Sequence, residues 1–137
     1  RLKNICRELG LDDVVVFLGK RDQTTLPYYY SAAEMLVMPS FYESFGMVAL
    51  ESMACGTPVI TSNISAMADY VGKAGLLVPA NDEVALADAI QSVLQDEALQ
   101  INLSQKGRSR AALFTWGQTA RTTLKVYELA AGAEIPA

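Results

Sequence analysis

The sequence predicts an α/β domain built on a parallel sheet with flanking helices. Short apolar runs closed by glycine or proline alternate with longer stretches of helical periodicity. The apolar runs are continuous rather than alternating, as expected of strands buried on both faces. The chain has 137 residues, 51% hydrophobic and 19% charged, enough for one packed core and too apolar for a disordered chain.

Arg1 to Leu9 places Leu2, Ile5, Cys6 and Leu9 on one helical face, and Gly10 ends it. Val14 to Leu18 reads as a buried strand stopped by Gly19. Thr24 to Ala33 reads as a helix in which Pro27 is tolerable only near the first turn. Met35 to Met38 is a second strand, stopped by Pro39, and a helix from about Ser44 to Ala54 closes at Gly56. Val59 to Thr61 is a third strand, and a short helix over Ala66 to Val71 leads to the strand Leu76 to Val78. Asp82 has the side chain of an N-cap for a helix through Leu94, with Val84, Leu86, Ala87, Ile90, Val93 and Leu94 as its apolar stripe. Another helix spans about Glu97 to Leu113. Thr115-Trp116-Gly117-Gln118 has capping-box spacing and opens a last helix to about Ala131, with a frayed tail from Gly132. No repeat or linker divides the chain.

The composition also excludes. A net charge of −4 argues against a nucleic-acid partner held by a basic face. With no histidine, this chain holds neither a histidine-based catalytic triad nor a histidine metal site. Two unpatterned cysteines, Cys6 and Cys55, suit a reducing, cytoplasmic setting better than a disulfide scaffold. No signal peptide and no apolar run of membrane length is visible. The chain opens on Arg1, already inside a helical pattern, which suggests a piece of a longer protein.

The most informative stretch runs from Pro39 to Glu51. In open parallel sheets, ligands sit beyond the carboxyl ends of the strands. The strand ending at Met38 therefore delivers Glu43 to Gly46 to that edge. Free N–H groups of Phe45, Gly46, Met47 and Val48 at a helix start would favour an anion, and Gly46 permits close approach. Glu51 lies about five residues further on, roughly 8 Å along the axis at ~1.5 Å per residue. A carboxylate there can accept from paired hydroxyls, as from ribose. Glu43 can reach hydroxyls on the other side of a phosphate. The plainer reading is that acids near a helix start complement its dipole and that Ser44 is a simple N-cap. Glu51, however, is flanked by Leu50, Met53 and Ala54, and a carboxylate in apolar surroundings needs a partner.

The ordered set Pro39-Ser40-x-x-Glu43-Ser44-Phe45-Gly46-x-x-x-x-Glu51-x-x-Ala54-x-Gly56-x-Pro58-Val59-Ile60 resembles the nucleotide-sugar site of the group 1, family 4, retaining glycosyltransferases. The likeness runs nearly end to end. It includes Val14 to Gly19, Leu26-Pro27-x-x-Tyr30-x-Ala32-Ala33, Ala74-Gly75-Leu76-Leu77-Val78-Pro79 and Phe114-Thr115-Trp116. It implies a Rossmann-like sheet, the C-terminal half of a GT-B fold lacking its first strands, so that residues 1–137 are a partial nucleotide-sugar-binding domain.

What the resemblance implies about function is specific. Glu43 would act at the donor-sugar hydroxyls as the catalytic-site acid. The Ser44, Phe45, Gly46, Met47 and Val48 segment would meet the sugar and distal phosphate, and Glu51 the ribose. Lys20 and Arg21 would face the base through their backbone. The co-substrate would be a nucleoside-diphosphate sugar, with no other cofactor and no metal. The product would belong to carbohydrate biosynthesis. A sugar or lipid-linked acceptor, and any peripheral membrane association, would come through an absent N-terminal domain. The family's phosphate-binding arginine and lysine would lie before Arg1, so the fragment alone would be inactive.

Ser65-Ala66-Met67-Ala68-Asp69 departs from the Gly-Gly or Ser-Ser, hydrophobic, Pro-Glu run usual in the family. The usual strand order also puts two strands between Val14–Leu18 and Met35–Met38, so the sheet here would be gapped or re-paired and the fragment only marginally stable. The last helix, with Trp116, Leu124, Tyr127 and Leu129, would expose an apolar patch. Alternatives are a regulatory nucleotide-sugar-binding module and a UDP-sugar epimerase on a similar scaffold. A flavodoxin-like receiver domain would require an acidic cluster at the first strand end, which is not found.

Overall fold

The computed structural model describes residues 1–132, so the tail from 133 onward lies outside the described residues. The elements follow in order as α1 (Leu2–Glu8), α2 (Leu26–Ala32), β1 (Leu36–Met38), α3 (Met47–Cys55), β2 (Val59–Ser62) and α4 (Ser65–Val71). A 3-10 turn over Gly72–Ala74 leads to β3 (Leu76–Val78), α5 (Glu83–Gln95), α6 (Glu97–Ala111) and α7 (Trp116–Ala130). The α/β architecture and the parallel sheet expected from the sequence are present.

The sheet has three strands in the order β1-β2-β3. Leu36 pairs with Val59 and Met38 with Thr61, while Ile60 pairs with Leu76 and Ser62 with Val78, all in parallel. Every residue of β2 is buried, because β2 has a strand on either side and helices on both faces. Alternation then sorts its side chains. Val59 joins Ala49, Leu50, Met53, Met67, Tyr70 and Val71 in a cluster with α3 and α4. Ile60 joins Val78, Val93 and Leu103 in a second cluster with α5 and α6.

Local sequence chemistry sets the helix ends. Asp82 Oδ1 accepts from the Ala85 N–H at 2.9 Å, and Asp96 does the same for Leu99 at 2.9 Å. Thr115 Oγ1 accepts from the Gln118 N–H at 3.1 Å. The box is only half closed, since the Gln118 side chain accepts from Arg121 instead. α3 stops at Gly56, whose φ of 83° is left-handed and suits glycine. The N–H groups of Gly56 and Thr57 then close onto the carbonyls of Met53 and Ser52. Gly107 of α6 lies against Met53, where a Cβ would meet its side chain at 3.5 Å, so these two helices pack closely.

Three expectations are corrected. Val14 to Leu18 forms no strand; the segment is irregular and exposed, with Val16 77% accessible. A strand exists only where a neighbour completes its hydrogen bonds, and among the described residues β1 pairs with β2 alone. The first helix buries only Cys6 of its predicted face, and Leu2, Ile5 and Leu9 stay exposed. The helix expected from Ser44 begins at Met47, for reasons that belong to the site below. As anticipated, α7 buries none of its residues and leaves Trp116, Leu124, Tyr127 and Leu129 exposed.

Two outcomes test this packing. Met53→Ala opens a cavity where both α6 and β2 depend on that side chain and should cost about 2–5 kcal/mol, read from urea unfolding. Amide hydrogen exchange over residues 16–18 should run at near-unprotected rates while β2 stays protected. Slow exchange at 16–18 would contradict the unpaired segment.

Candidate functional site

β1, β2 and β3 run parallel, so their carboxyl ends share one edge, and residues 39–46 cross it on the way to α3. The crossing ends in a left-handed turn. Gly46 is buried, with φ 74° and ψ 49°, and is the N-cap of α3. A Cβ at this position would run into the Tyr70 hydroxyl and come within 3.1 Å of Met38 Cε and 3.3 Å of Glu43 Cγ. Only glycine fits, sterically and conformationally.

The turn is held from behind. The Tyr70 hydroxyl donates to the Gly46 carbonyl at 2.9 Å. The Tyr70 ring stacks on Phe45 with centroids 5.1 Å apart, and Phe114 meets both rings edge-on. Arg110 of α6 completes the assembly. Its Nε donates to the Tyr70 carbonyl at 2.7 Å and its Nη2 to the Asp69 carbonyl at 2.8 Å, while its guanidinium lies 5.3 Å from the centre of the Phe114 ring. The cation thus caps the carboxyl end of α4, where the dipole favours it. Burial, and secondarily the charge of Glu43, pushes the Tyr70 hydroxyl up to about 12.

The later helix start follows from this geometry. Ser44 does not cap α3; its N–H donates to the Glu43 carboxylate at 3.1 Å. The Ala49 N–H already reaches the Gly46 carbonyl at 3.0 Å. Among the described residues no protein group accepts from the N–H groups of Phe45, Gly46, Met47 and Val48. Phe45, Met47 and Val48 are exposed. The mouth of α3 therefore presents unpaired donors at the strand edge, with Glu43 partly buried beside it.

Glu51 is the fifth residue of α3 and is also partly buried. Its expected partners are neutral. Oε2 accepts from the Tyr30 hydroxyl at 2.9 Å, and Oε1 accepts from Gln23 Nε2 at 3.1 Å. Burial raises the Tyr30 hydroxyl to about 12, helped by its hydrogen bond to Glu51, by the charge of Glu51 and by Cys55. Gln23 ties the irregular segment after Gly19 to α3. Lys20 and Arg21 lie exposed on that segment, with the Arg21 guanidinium 6.0 Å from the Tyr29 ring centre. A groove of about 480 Å³ opens beside Glu51, between Met47 and Leu50 on one side and Phe114 and Trp116 on the other. A larger one of about 820 Å³, lined by residues 71–74 and by α6, contains neither acid.

Sequence reasoning thus found the two acids, the glycine and the unpaired donors. It missed Tyr30 and Gln23 as partners of Glu51, and Tyr70 and Arg110 behind Gly46. The Leu-Pro-x-x-Tyr pattern held a signal for Tyr30; nothing local marked Tyr70.

The model of the family Glycosyl transferases group 1 matches residues 1–110. D-inositol 3-phosphate glycosyltransferase of Corynebacterium jeikeium is 40% identical over 130 residues, which is 93% of this chain and 31% of that protein. Sucrose-phosphate synthase from Thermosynechococcus elongatus superposes with a TM-score of 0.87 at 43% identity, over 98% of this chain and 34% of that one. Anabaena Alr3699/HepE, solved in complex with UDP and glucose, gives 0.82 at 26% identity, over 91% of this chain and 35% of that one. The chain spans about a third of the length of these proteins. It belongs to the group 1 glycosyl transferases, and its architecture is that of a GT-B C-terminal domain.

The two raised phenols set a pH dependence. Each stays protonated in the fold beyond the ordinary tyrosine value of 10.0, so their contribution to stability is complete below about pH 10 and is lost as pH rises towards about 12. Urea midpoints should fall over that window, and less steeply in Tyr30→Phe and Tyr70→Phe. Gly46→Ala should cost at least the ~1–2 kcal/mol of a left-handed non-glycine residue, with a wild-type midpoint counting against the turn.

Proposed function

We propose that the chain is the donor half of a retaining glycosyltransferase, residues 1–137 forming part of its nucleotide-sugar-binding domain. The donor is a nucleoside-diphosphate sugar and the transferred group a hexosyl unit. The observation that carries this reading is the placement of Glu43 and Glu51 on either side of the unpaired N–H groups at the mouth of α3. An acid, an anion seat and a second acid match a ligand with hydroxyls at each end and phosphate between. The UDP and glucose of the Anabaena neighbour are a ligand set of that kind.

In this mode Glu43 accepts from donor-sugar hydroxyls beside the reacting carbon. Negative charge grows on the distal phosphate as its bond to the sugar breaks. The N–H groups of Phe45 to Val48 meet that charge without reorganising. Glu51 accepts from the ribose hydroxyls, and the Lys20–Arg21 segment faces the base. No metal is assigned a role. The acceptor, a sugar or a lipid-linked sugar, is read by a second domain N-terminal to this one. The differing names of the two relatives, an inositol 3-phosphate glycosyltransferase and a sucrose-phosphate synthase, fit an acceptor chosen outside the stretch they share with this chain. Alone, the chain binds donor and does not turn over. The setting is cytoplasmic, with membrane contact only through the other domain; no described helix is long and apolar enough to cross a membrane.

Glu51→Ala in the intact enzyme should weaken nucleoside-diphosphate binding ten- to hundredfold, since a hydrogen bond to a charged group contributes about 1.5–3 kcal/mol. Glu43→Ala should lower kcat about a hundredfold and largely spare nucleotide affinity. Calorimetry showing the reverse pattern would exchange the two assignments, and no effect from either would overturn the reading.

A further inference from the structure

A carboxylate selects a pair of hydroxyls only if it is held still. Helix α3 fixes the Cα of Glu51 but not its three side-chain torsions. The group that fixes them is on another helix. Tyr30 near the end of α2 is anchored at two points. Its carbonyl accepts from Thr57 Oγ1 at 2.6 Å, and its hydroxyl donates to Glu51 Oε2 at 2.9 Å. Thr57 is buried and follows the left-handed stop of α3 at Gly56, its N–H donating to the Ser52 carbonyl, so the anchor is tied to the end of the helix that carries Glu51. The loop is closed: α3 to Thr57, Thr57 to Tyr30, Tyr30 back to α3.

The second partner differs in kind. Gln23 is exposed and sits on the irregular segment, so its contact with Oε1 can be exchanged for a ligand hydroxyl. Tyr30 is partly buried and packed in α2. An ionised carboxylate has about four acceptor positions, so one bond from Tyr30 leaves room for a hydroxyl pair. A lysine or arginine in place of Tyr30 would also hold the carboxylate but would offset its charge. The phenol holds it and leaves the charge intact.

We propose that Tyr30 is a positioning residue for the ribose end of the donor site: its hydroxyl locks the Glu51 carboxylate in the orientation that accepts both ribose hydroxyls. The proposal rests on the Glu51–ribose reading above. It makes Tyr30 a determinant of ribose selectivity without direct contact with the donor.

The test uses the intact enzyme and calorimetry with UDP, GDP and ADP. The tightest of the three is then compared with its 2′-deoxy and 3′-deoxy forms. Wild type should prefer the ribose form about tenfold, the discrimination of one good hydrogen bond. Glu51→Ala should bring that ratio to near one. Tyr30→Phe, which removes one hydroxyl and keeps the ring in its place, should bring it most of the way there while kcat at saturating donor is held. Tyr30→Phe/Glu51→Ala should be no worse than Glu51→Ala alone. Equal weakening of ribose and deoxy forms by Tyr30→Phe, with the ratio preserved, would mean a merely structural tyrosine and would overturn the proposal. A ratio that survives Glu51→Ala overturns the ribose reading itself, and so does failure of all three nucleotides to bind wild type.

Discussion

The left-handed turn at Gly46 is the constraint on which the candidate site depends. A chain leaving a parallel strand must reverse to form a helix that packs back on the sheet, and here the crossing of residues 39–46 ends in one buried left-handed residue. Like any helix start, that of α3 leaves its first N–H groups without intrahelical partners, and the turn sets them at the strand edge. Because it is buried, it must be supported, and three elements converge on it. Arg110 from α6 holds the carboxyl end of α4, and Tyr70 from α4 holds the Gly46 carbonyl. Phe45 is caught between the Tyr70 and Phe114 rings. The support reaches from residue 46 to residue 114, so the donor edge is a property of the whole second half of the chain.

How much of this was legible depends on the distance over which each feature is decided. The caps at Asp82 and Thr115 were readable because a side chain and an N–H three residues apart settle them. The strands Leu36–Met38, Val59–Ser62 and Leu76–Val78 were readable because each carries a short apolar run, although β2 alone of the three is buried throughout. Val14 to Leu18 carries the same apolar signature and still forms no strand, since periodicity reports a side chain's preference and not the presence of a neighbour. Ser44 was misread as a cap because its chemistry is that of a cap. What decides the matter is the left-handed Gly46, which takes the N-cap position two residues further on, so that Ser44 lies outside the first turn. Tyr70 and Arg110 are 40 residues apart, and no local rule links them.

The electrostatics of the site argue for the order of groups in its ligand. Two carboxylates flank an anion seat, and two unit charges 4 Å apart repel by about 1 kcal/mol in water and about 4 near a protein surface. A ligand with a terminal phosphate would bring its charge against one acid or the other. One with neutral, hydroxyl-bearing ends and an internal phosphate presents donors to both acids and keeps its charge at the helix mouth. The partners of the acids point the same way. Glu51 is met by a phenol and an amide, the phenol next to Glu43 is spent on a backbone carbonyl, and among the described residues no cation is paired with either acid. Acceptors of this kind suit neutral hydroxyls, and the open N–H groups at the helix mouth suit an anion.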